Sequence, residues 1–445
     1  MLKYFGTDGI RGKPGEFPLD PSTLYHIGYI LSQLLGSFFE DVKIIIGRDT
    51  RESSPHLERP LCAGIKEGGG EPLIAGIVPT SALSFLIRRF GFAGGISISA
   101  SHNPPEENGI KIFDWNGVKL EERIEGEIEK EIERREKIAV KTHDLLEIDH
   151  SLKKFYIDFL KSHIVSPIPK NFKIVVDCSN GSAYSIAPDL FKEIGLDVVT
   201  INSEPNGKNI NVNCGSTYPD SISKAVKENK AYFGVAYDGD ADRAIWSDEK
   251  GRILDGDHTL YLMGKYLKKR GDLSSNSIVA TVMSNLGLEI SLKREGINLF
   301  RAAVGDKNVY KEMVRIGSNL GGEKSGHTIF LNSLPTGDGI LTTIMLLNYI
   351  FEEEKPLSEL SEGMELFPQV IKNVKVREKV QFSEIPGFLK ALESIKNKLR
   401  NEGRVLVRYS GTESKMRIMV EGKDEKEIVS MAEELADIVK RYIGG

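Results

Sequence analysis

The chain has 445 residues, enough for about three or four domains, and its 40% apolar and 28% charged content is typical of folded globular proteins rather than disordered ones. Acidic and basic residues are interspersed and the net charge is −5, so no basic stripe predicts a nucleic-acid partner. We therefore expect the partner to be a small molecule whose charge is recognised locally.

The cysteine content and the apolar pattern predict a cytoplasmic protein. Cys62, Cys178 and Cys214 stand without a CxxC spacing, which argues against a disulfide framework and against a zinc knuckle. The chain opens without a charged-then-apolar leader, and no window reaches about 18 uninterrupted apolar residues. We expect no membrane partner.

A strand that leads into a helix recurs three times, at residues 43–50, 173–180 and 277–285. Each is followed, about 40 to 60 residues later, by a second strand that ends in a polar loop, a spacing suited to βαβ units. This predicts three similar α/β domains with mixed sheets, whose loops surround a central cleft. We place the domains at 1–150, 151–252 and 253–368, followed by a last domain at 369–445.

Between the first two repeats, Asn116-Gly117 predicts a hairpin turn in which both central residues have positive φ. Isoleucines repeat every fourth residue over 121–137, which predicts an amphipathic helix. In the last domain, the apolar run 404–409 predicts a strand, and residues 424–442 predict a terminal helix capped by Asp424. The last domain is therefore expected to be small and α+β.

Residues 96–113 combine a strand, a polar loop and a second strand, and the loop presents Ser101 beside His102. Residues 99–103 lack the glycines of an esterase nucleophile elbow, which argues against a Ser–His–Asp hydrolase. A serine that instead carries phosphate needs nearby positive charge, which His102, Lys111 and a metal ion are able to supply. The ordinary alternative is a serine that only forms the turn.

Asp238, Asp240 and Asp242 alternate in the loop after the strand-like run that ends at Tyr237. The spacing resembles the start of an EF-hand calcium loop, but Arg243 stands where that loop needs glycine, and the flanking segments are typical of strands. Three carboxylates that give one oxygen each leave coordination positions for water and a phosphate oxygen, as magnesium usually requires. We predict a Mg²⁺ site here, with Arg243 orienting the phosphate.

Two further loops carry groups suited to a phosphorylated sugar. Residues 321–327 form a glycine-rich loop whose Glu323, Ser325 and His327 suit hydrogen bonds to vicinal hydroxyls. Residues 408–417 combine arginines, hydroxyls and a glycine, the elements of an anion cradle without a Walker lysine. The members of this cradle are Arg408, Ser410, Gly411, Thr412 and Arg417. Each loop alone also fits an ordinary turn, but together they indicate a phosphosugar.

Five ordered motifs, which span nearly the whole chain, resemble the α-D-phosphohexomutase superfamily. They are Phe5-Gly-Thr-Asp-Gly-Ile-Arg-Gly12, Ser99-Ala-Ser-His-Asn-Pro104 with Asn108-Gly-Ile-Lys111, and the loops 238–243, 322–327 and 408–413. Within the superfamily, Gly47-Arg-Asp-Thr-Arg51, Thr336-Gly-Asp-Gly339 and Met419-Val-Glu-Gly422 are most similar to the bacterial phosphoglucosamine mutases. The chain departs from that pattern at Ala241, Lys324, Lys307-Asn308, Tyr409 and Ser414.

The resemblance implies a C-terminal domain similar to the TATA-binding-protein fold and a phosphoserine mechanism. Phosphorylated Ser101 would give its phosphate to glucosamine 6-phosphate, the 1,6-bisphosphate would turn over in the cleft, and its other phosphate would return to the serine. The product, glucosamine 1-phosphate, would supply UDP-N-acetylglucosamine and cell-wall precursor synthesis. The implied cofactors are one Mg²⁺, held by the three aspartates and a phosphate oxygen on Ser101, and glucosamine or glucose 1,6-bisphosphate as activator.

The resemblance also implies roles for the remaining residues. Lys111, with His102 and Arg11, is the candidate for moving the proton of the sugar hydroxyl, which requires burial or neighbouring cations to lower the pKa of Lys111. Glu323 and Ser325 are expected to grip the sugar, and the 408–417 loop to hold the phosphate that is not reacting. The resemblance is compatible with a homodimer.

The motif residues do not identify the substituent at carbon 2 of the sugar, because contacts to the 3- and 4-hydroxyls do not depend on that substituent. A phosphoglucomutase or phosphomannomutase is therefore the alternative enzyme. A non-catalytic phosphosugar-binding protein is the alternative from another class, and it ranks low because Ser101 and the three aspartates are intact.

Overall fold

The computed structural model describes residues 2–140, 146–400, 402–410 and 414–445. The chain divides into two compact units, one made of residues 1–283 and 297–362 and the other of residues 284–296 and 363–445. The first unit contains three mixed sheets with helices, and the second contains an antiparallel sheet with helices. This confirms the predicted fold class, while the domain boundaries at 150, 252 and 368 stay a prediction.

The first sheet contains β1 (Phe5–Gly6), β2 (Gly9–Gly12), β3 (Lys43–Arg48), β4 (Glu71–Ile77), β5 (Gly94–Ile98) and β6 (Asn108–Phe113). Its order is β1-β2-β6-β5-β3-β4, in which β3 runs parallel to β4 and β5 and the other pairs are antiparallel. Its helices are α1 (Pro21–Gly36), α2 (Ser54–Glu67), α3 (Thr80–Phe90) and α4 (Glu122–Arg134). Buried side chains from the six strands and from α1, α2 and α4 form one apolar core.

The predicted amphipathic helix over 121–137 is confirmed as α4, in which Ile128 and Ile132 are buried. The predicted hairpin turn is wrong in its type. Gly117 has a φ of +70°, but Asn116 keeps a negative φ, and the described residues 118–120 form no strand. The Asp114 carboxylate instead accepts hydrogen bonds from the backbone amide of Asn116 at 2.8 Å and from that of residue 118 at 3.1 Å. The Asp114 side chain thus closes the turn, and the backbone still pairs across it, since the Asp114 amide donates to the carbonyl of residue 118 at 2.8 Å.

The second sheet follows α5 (His150–Lys161) and contains β7 (Lys173–Asp177), β8 (Asp197–Ile201), β9 (Phe233–Tyr237), β10 (Ala244–Asp248) and β11 (Ile253–Leu254). Its order is β11-β10-β9-β7-β8, with β7, β8 and β9 parallel and the other pairs antiparallel. The helices α6 (Ala187–Glu193) and α7 (Asp220–Asn229) connect the parallel strands.

The third sheet follows α8 (Gly256–Arg270). It contains β12 (Ser277–Thr281), β13 (Asn298–Ala302), β14 (Leu320–Gly322) and β15 (Thr328–Phe330), in the order β13-β12-β14-β15. The helix α9 (Leu286–Arg294) belongs to the second unit, whereas α10 (Asp306–Ile316), α11 (Gly339–Glu353) and α12 (Leu357–Leu360) belong to the first. In all three sheets, parallel strands end at one edge, which is where open α/β folds bind ligands.

The second unit contains the antiparallel sheet β16 (Gln369–Lys375), β18 (Lys415–Gly422) and β17 (Gly403–Tyr409), in that order. The helices α13 (Phe388–Leu399) and α14 (Glu425–Ile443) cover it and share its apolar core. The predicted strand at 404–409 and the predicted terminal helix are confirmed. The Asp424 side chain accepts from the amides of Lys426 and Glu427 at 2.8 and 3.0 Å, as an N-cap does.

The three cysteines are buried free thiols. Burial raises the pKa of Cys62 and of Cys214 to about 12, so both are protonated at neutral pH. Within the described ranges, no helix is both long and apolar enough to cross a bilayer.

Candidate functional site

Ser101 lies in the first unit, three residues after β5 ends. Its side chain is fully buried, and its backbone has a φ of +52°, in the left-handed region that is unusual for a residue with a side chain. The hydroxyl donates a hydrogen bond to Oδ2 of Asp238 at 2.6 Å and lies 3.3 Å from Nδ1 of His102. The loops that follow β5 and β9 therefore meet at this serine, as the strand-end argument predicted.

The three aspartates after β9 form a compact carboxylate cluster. Asp238, Asp240 and Asp242 are all buried, and one oxygen from each lies within 4.8 Å of the others. Oδ1 of Asp240 and Oδ1 of Asp242 are buried without a hydrogen-bond partner among the described residues. Unpaired carboxylate oxygens are the hard ligands that Mg²⁺ prefers, so these residues fit a magnesium ion.

The turn of this loop passes through Ala241, whose φ is +57°. A backbone hydrogen bond from the Ala241 amide to the Asp238 carbonyl, at 3.1 Å, closes the turn. An L-residue is strained here by about 1 to 2 kcal/mol, whereas glycine is not. The alanine that departs from the resemblance therefore lowers the stability of this turn relative to glycine.

Lys111, on β6, neutralises the cluster from the first domain. Its ammonium group is fully buried and lies 2.7 Å from Oδ2 of Asp240, 3.1 Å from Oδ2 of Asp242 and 3.1 Å from Oδ2 of Asp8. Burial alone would lower the pKa of Lys111, but the three carboxylates raise it well above its ordinary value. The lowered pKa that a lysine base requires is therefore not observed in this arrangement.

The carboxylates respond unequally to their surroundings. Burial raises the pKa of Asp238, and repulsion from Asp242 and Asp240 raises it further. Burial also opposes ionisation of Asp242, but Lys111 and other nearby cations lower its pKa well below the ordinary value. The guanidinium of Arg243 lies close to both, with Nε 3.8 Å from Asp242 and 4.0 Å from Asp238. The cluster thus combines an ionised carboxylate with one that resists ionisation, a state that a divalent cation would change.

His102 and Arg11 border the serine loop. Burial, together with Arg243 and Arg11, lowers the pKa of His102 to about 4, so its imidazole is neutral at pH 7. Arg11 donates to Oδ1 of Asn103 at 2.9 Å and pairs with Asp8 at 2.5 Å. A neutral imidazole and a guanidinium held in place are available to a ligand in this region.

The predicted sugar loop separates into exposed and buried parts. Ser325 is exposed, and Glu323 is partly exposed while its Oε1 accepts from the Gly305 amide at 3.1 Å. His327 is buried, with Nδ1 3.6 Å from Asp242. Burial would lower the pKa of His327, but Asp242 raises it overall. The Gly337 amide donates to Nε2 of the ring at 3.0 Å, which leaves the ring proton on Nδ1, facing Asp242. His327 is therefore placed to orient Asp242.

The predicted phosphate loop lies in the second unit, between β17 and β18. Arg408 and Arg417 are direct cross-strand partners. Burial and the charge of Arg417 lower the pKa of Arg408. Two facing cations repel each other, and an anion between them would relieve the repulsion. The Ser410 amide donates to the Lys415 carbonyl at 2.9 Å and closes the loop base, while Gly411 and Thr412 lie outside the described residues.

Two residues that sequence reasoning missed connect the loops. Thr80, at the start of α3, donates from Oγ1 to Oδ2 of Asp240 and from its amide to the Asp240 carbonyl at 3.0 Å. Asp8 lies between the ammonium groups of Lys111 and Lys119. The motif that contains Asp8 was visible in the sequence, but an isolated threonine after a proline gave no signal.

Family models match almost the entire chain. The phosphoglucomutase/phosphomannomutase alpha/beta/alpha domains I, II and III match residues 2–139, 154–251 and 255–367, and the C-terminal domain of the same family matches residues 371–438. The chain is 45% identical to the phosphoglucosamine mutase of Clostridioides difficile (strain 630), covering 100% of both chains. It is also 45% identical to the phosphoglucosamine mutase of Thermoanaerobacter sp. (strain X514), again over 100% of both.

Solved structures share the fold at lower identity. A putative phosphomannomutase from Thermus thermophilus aligns with a TM-score of 0.79 at 23% identity, over 99% of this chain and 100% of that one. The N-acetylphosphoglucosamine mutase of Aspergillus fumigatus, solved with GlcNAc-6P and magnesium, aligns with a TM-score of 0.66 at 16% identity, over 99% of this chain and 96% of that one.

Proposed function

The chain belongs to the phosphoglucomutase/phosphomannomutase family of α-D-phosphohexomutases, and from this premise we propose that it interconverts glucosamine 6-phosphate and glucosamine 1-phosphate. The observation that carries the proposal is the buried hydroxyl of Ser101, which lies 2.6 Å from a carboxylate cluster that fits magnesium. The full-length relatives named phosphoglucosamine mutase support the choice of glucosamine.

The reaction proceeds in two phosphoryl transfers. In the first, the 1-hydroxyl of glucosamine 6-phosphate attacks the phosphorus on Ser101, the bond from phosphorus to Oγ breaks, and glucosamine 1,6-bisphosphate forms. The bisphosphate then turns over, Oγ of Ser101 attacks the 6-phosphate, and glucosamine 1-phosphate leaves. Ser101 is phosphorylated again at the end of the cycle. An enzyme that has lost this phosphate needs a phosphate donor, and glucosamine or glucose 1,6-bisphosphate supplies it.

The aspartate cluster and its neighbours handle the charge of these transfers. Mg²⁺ held by Asp238, Asp240, Asp242 and a phosphate oxygen on Ser101 would supply positive charge that offsets the charge of the transferring group. Arg243, whose Nε lies 4.0 Å from Asp238, would bind the same phosphate. Two buried carboxylate oxygens, one from Asp240 and one from Asp242, have no hydrogen-bond partner among the described residues, and this supports the metal site.

Lys111, with His102 and Arg11, moves the proton of the attacking hydroxyl. The carboxylates around Lys111 keep it protonated, so it acts as a base only when another cation neutralises Asp240 and Asp242. In the opposite direction the ammonium form is ready to donate a proton. The neutral His102, 3.3 Å from the serine hydroxyl, offers a second acceptor.

The remaining residues bind the substrate. Glu323 and Ser325 bind the sugar hydroxyls, and the buried His327 orients Asp242. Arg408, Ser410, Gly411, Thr412 and Arg417 bind the phosphate that is not reacting. The facing arginines of β17 and β18 support this role, because their repulsion favours an anion. We assign the protein to the cytoplasm, with glucosamine 1-phosphate feeding UDP-N-acetylglucosamine and cell-wall precursors. A homodimer is compatible with this function.

The proposal is tested by phosphorus NMR of the purified protein with Mg²⁺ and a trace of hexose 1,6-bisphosphate. Glucosamine 6-phosphate, glucose 1-phosphate and mannose 1-phosphate are offered separately, and Ser101→Ala is the control. Conversion of the glucosamine ester at a much higher rate than the other two is the expected result. Faster conversion of glucose or mannose esters would identify a phosphoglucomutase or phosphomannomutase. If wild type and Ser101→Ala were equally inert on all three, a non-catalytic phosphosugar-binding protein would be favoured.

A further inference from the structure

Arg51 follows β3 by three residues and is one of the largest fully buried side chains of the protein. Its side chain and that of Asp49, with which Nε pairs at 2.9 Å, are both 0% exposed. A buried guanidinium is costly unless its donors and its charge are satisfied. Its partners therefore indicate why it is there.

The donors of Arg51 end on the backbone of the serine loop. Nη2 donates to the carbonyl oxygens of Ser101 at 3.1 Å and Asn103 at 2.8 Å. Nη1 donates to the carbonyl of Glu107 at 2.8 Å and also to that of Pro104. With Nε on Asp49, all the N–H groups of the guanidinium are used. One planar group thus fixes four carbonyls of a single loop.

Asp49 extends this clamp to the other side of Ser101. Its carboxylate accepts from Oγ of Ser99 at 2.7 Å and from the Arg51 amide at 3.0 Å. Oγ of Ser99 in turn accepts from the Ser101 amide at 2.8 Å. The amide and the carbonyl of Ser101 are therefore both held by one buried ion pair.

A second donor comes from the neighbouring sheet. Nδ2 of Asn211, in the connection between β8 and α7, donates to the carbonyls of Ser101 at 2.8 Å and Asn103 at 3.1 Å. These are the carbonyls that Nη2 of Arg51 also contacts. These hydrogen bonds therefore attach the serine loop to the domain that carries the three aspartates.

We propose that Arg51 is a positioning residue that holds Ser101 in its left-handed conformation, with its hydroxyl directed at Asp238, and that Asn211 completes this clamp from the second sheet. The inference rests on the proposed phosphoserine function. A serine with a φ of +52° returns to an extended conformation unless its surroundings prevent it. The carbonyl clamp is the surrounding structure that prevents it, and Lys cannot replace the planar fork.

The test compares Arg51→Lys with Arg48→Lys, a matched control at the end of β3. Nε of Arg48 donates to Glu58 at 3.1 Å, and among the described residues its side chain makes no hydrogen bond to the serine loop. Rates are expressed per folded molecule, with folding checked by circular dichroism. We expect kcat of Arg51→Lys to fall on the order of 100-fold with little change in KM, because a displaced nucleophile slows the transfer without weakening substrate binding. Arg48→Lys should keep the kcat of wild type.

Hydrogen exchange gives a readout that does not depend on the substrate. Backbone amides of residues 99–108 should exchange faster in Arg51→Lys than in Arg48→Lys, while amides of the aspartate loop 238–243 should change less. If Arg51→Lys does not fold, Asn211→Ala is compared instead with Asn209→Ala. Asn209 is a half-buried neighbour whose side-chain hydrogen bonds, among the described residues, stay within its own loop. We expect Asn211→Ala to lose on the order of 10-fold in kcat.

The proposal would be overturned if Arg51→Lys showed unchanged kcat and unchanged hydrogen exchange of residues 99–108. If Arg51→Lys does not fold, the same result in Asn211→Ala would overturn it. Lowered stability with unchanged kcat per folded molecule would also overturn it, because the role would then be purely structural. If wild type itself converts no phosphosugar, the proposed function fails, and faster exchange in the variant would still establish the clamp.

Discussion

Replacing Lys111 by methionine removes the ammonium group that neutralises the aspartate cluster. Lys111 lies 2.7 Å from Asp240 and 3.1 Å from both Asp242 and Asp8, and it is fully buried. Removing one partner of a buried ion pair costs about 3 to 5 kcal/mol, because the remaining charges are left without compensation. With about 2 cal/mol/K of unfolding entropy per residue, this loss lowers the Tm of a unit of this size by roughly 5 °C.

The lowered Tm of Lys111→Met should depend on Mg²⁺, and this dependence tests the role of Lys111 more directly than the size of the loss. In a chelator, Lys111→Met should melt roughly 5 °C below wild type. In excess Mg²⁺ the deficit should shrink, because a divalent cation takes over the compensation of Asp240 and Asp242 and stabilises the folded state by mass action. Scanning calorimetry in both conditions measures the two differences. Phosphorylated Ser101 should persist in the variant, while turnover is lost.

The matched control is Lys119→Met. Lys119 is also a buried ammonium with two carboxylate partners, but these are Asp8 and Asp306 rather than the metal ligands. Its deficit should be of similar size and should not respond to Mg²⁺. Equal Mg²⁺-induced shifts in the Tm of wild type, Lys111→Met and Lys119→Met would show that Lys111 does not neutralise the metal ligands. Retained turnover in Lys111→Met would remove this lysine from the proton transfer.

Three further outcomes follow from the structure. Asp240→Asn should weaken Mg²⁺ binding at least about tenfold by isothermal calorimetry, since a neutral amide replaces a charged ligand. Tyr156→Phe should lower the free energy of unfolding by about 2 kcal/mol in urea titrations, because its hydroxyl donates to the buried carboxylate of Asp338 at 2.7 Å; a loss near zero would contradict this. The native protein should not react with Ellman's reagent at pH 8, since its cysteines are buried thiols, and full reaction should appear only in denaturant.

The local sequence pattern was sufficient to predict secondary-structure elements and to predict that the Ser101 loop meets the Asp238 loop. The apolar run before residue 49 predicted β3, and the Asp424 cap with the following apolar period predicted α14, because both signals arise within a few residues. Likewise, parallel strands end at one edge of a sheet, which is why the pairing of the Ser101 loop with the Asp238 loop was predictable. The turn at Asn116 was not, since a nearby aspartate side chain decided its type.

The chemistry that the sequence by itself determined is the identity of the groups: a serine and three aspartates in loops at strand ends, with a lysine and arginines on or beside strands. Their protonation and orientation were decided by the tertiary structure. Lys111 has a raised pKa, rather than the lowered one expected of a base, because Asp8, Asp240 and Asp242 come from distant segments of the chain. In the proposed clamp, the left-handed backbone of Ser101 persists because Arg51, after β3, and Asn211, after β8, both donate to its carbonyl. Electrostatic energies and hydrogen bonds depend on distances of a few ångströms, and only the packing of the folded chain sets those distances.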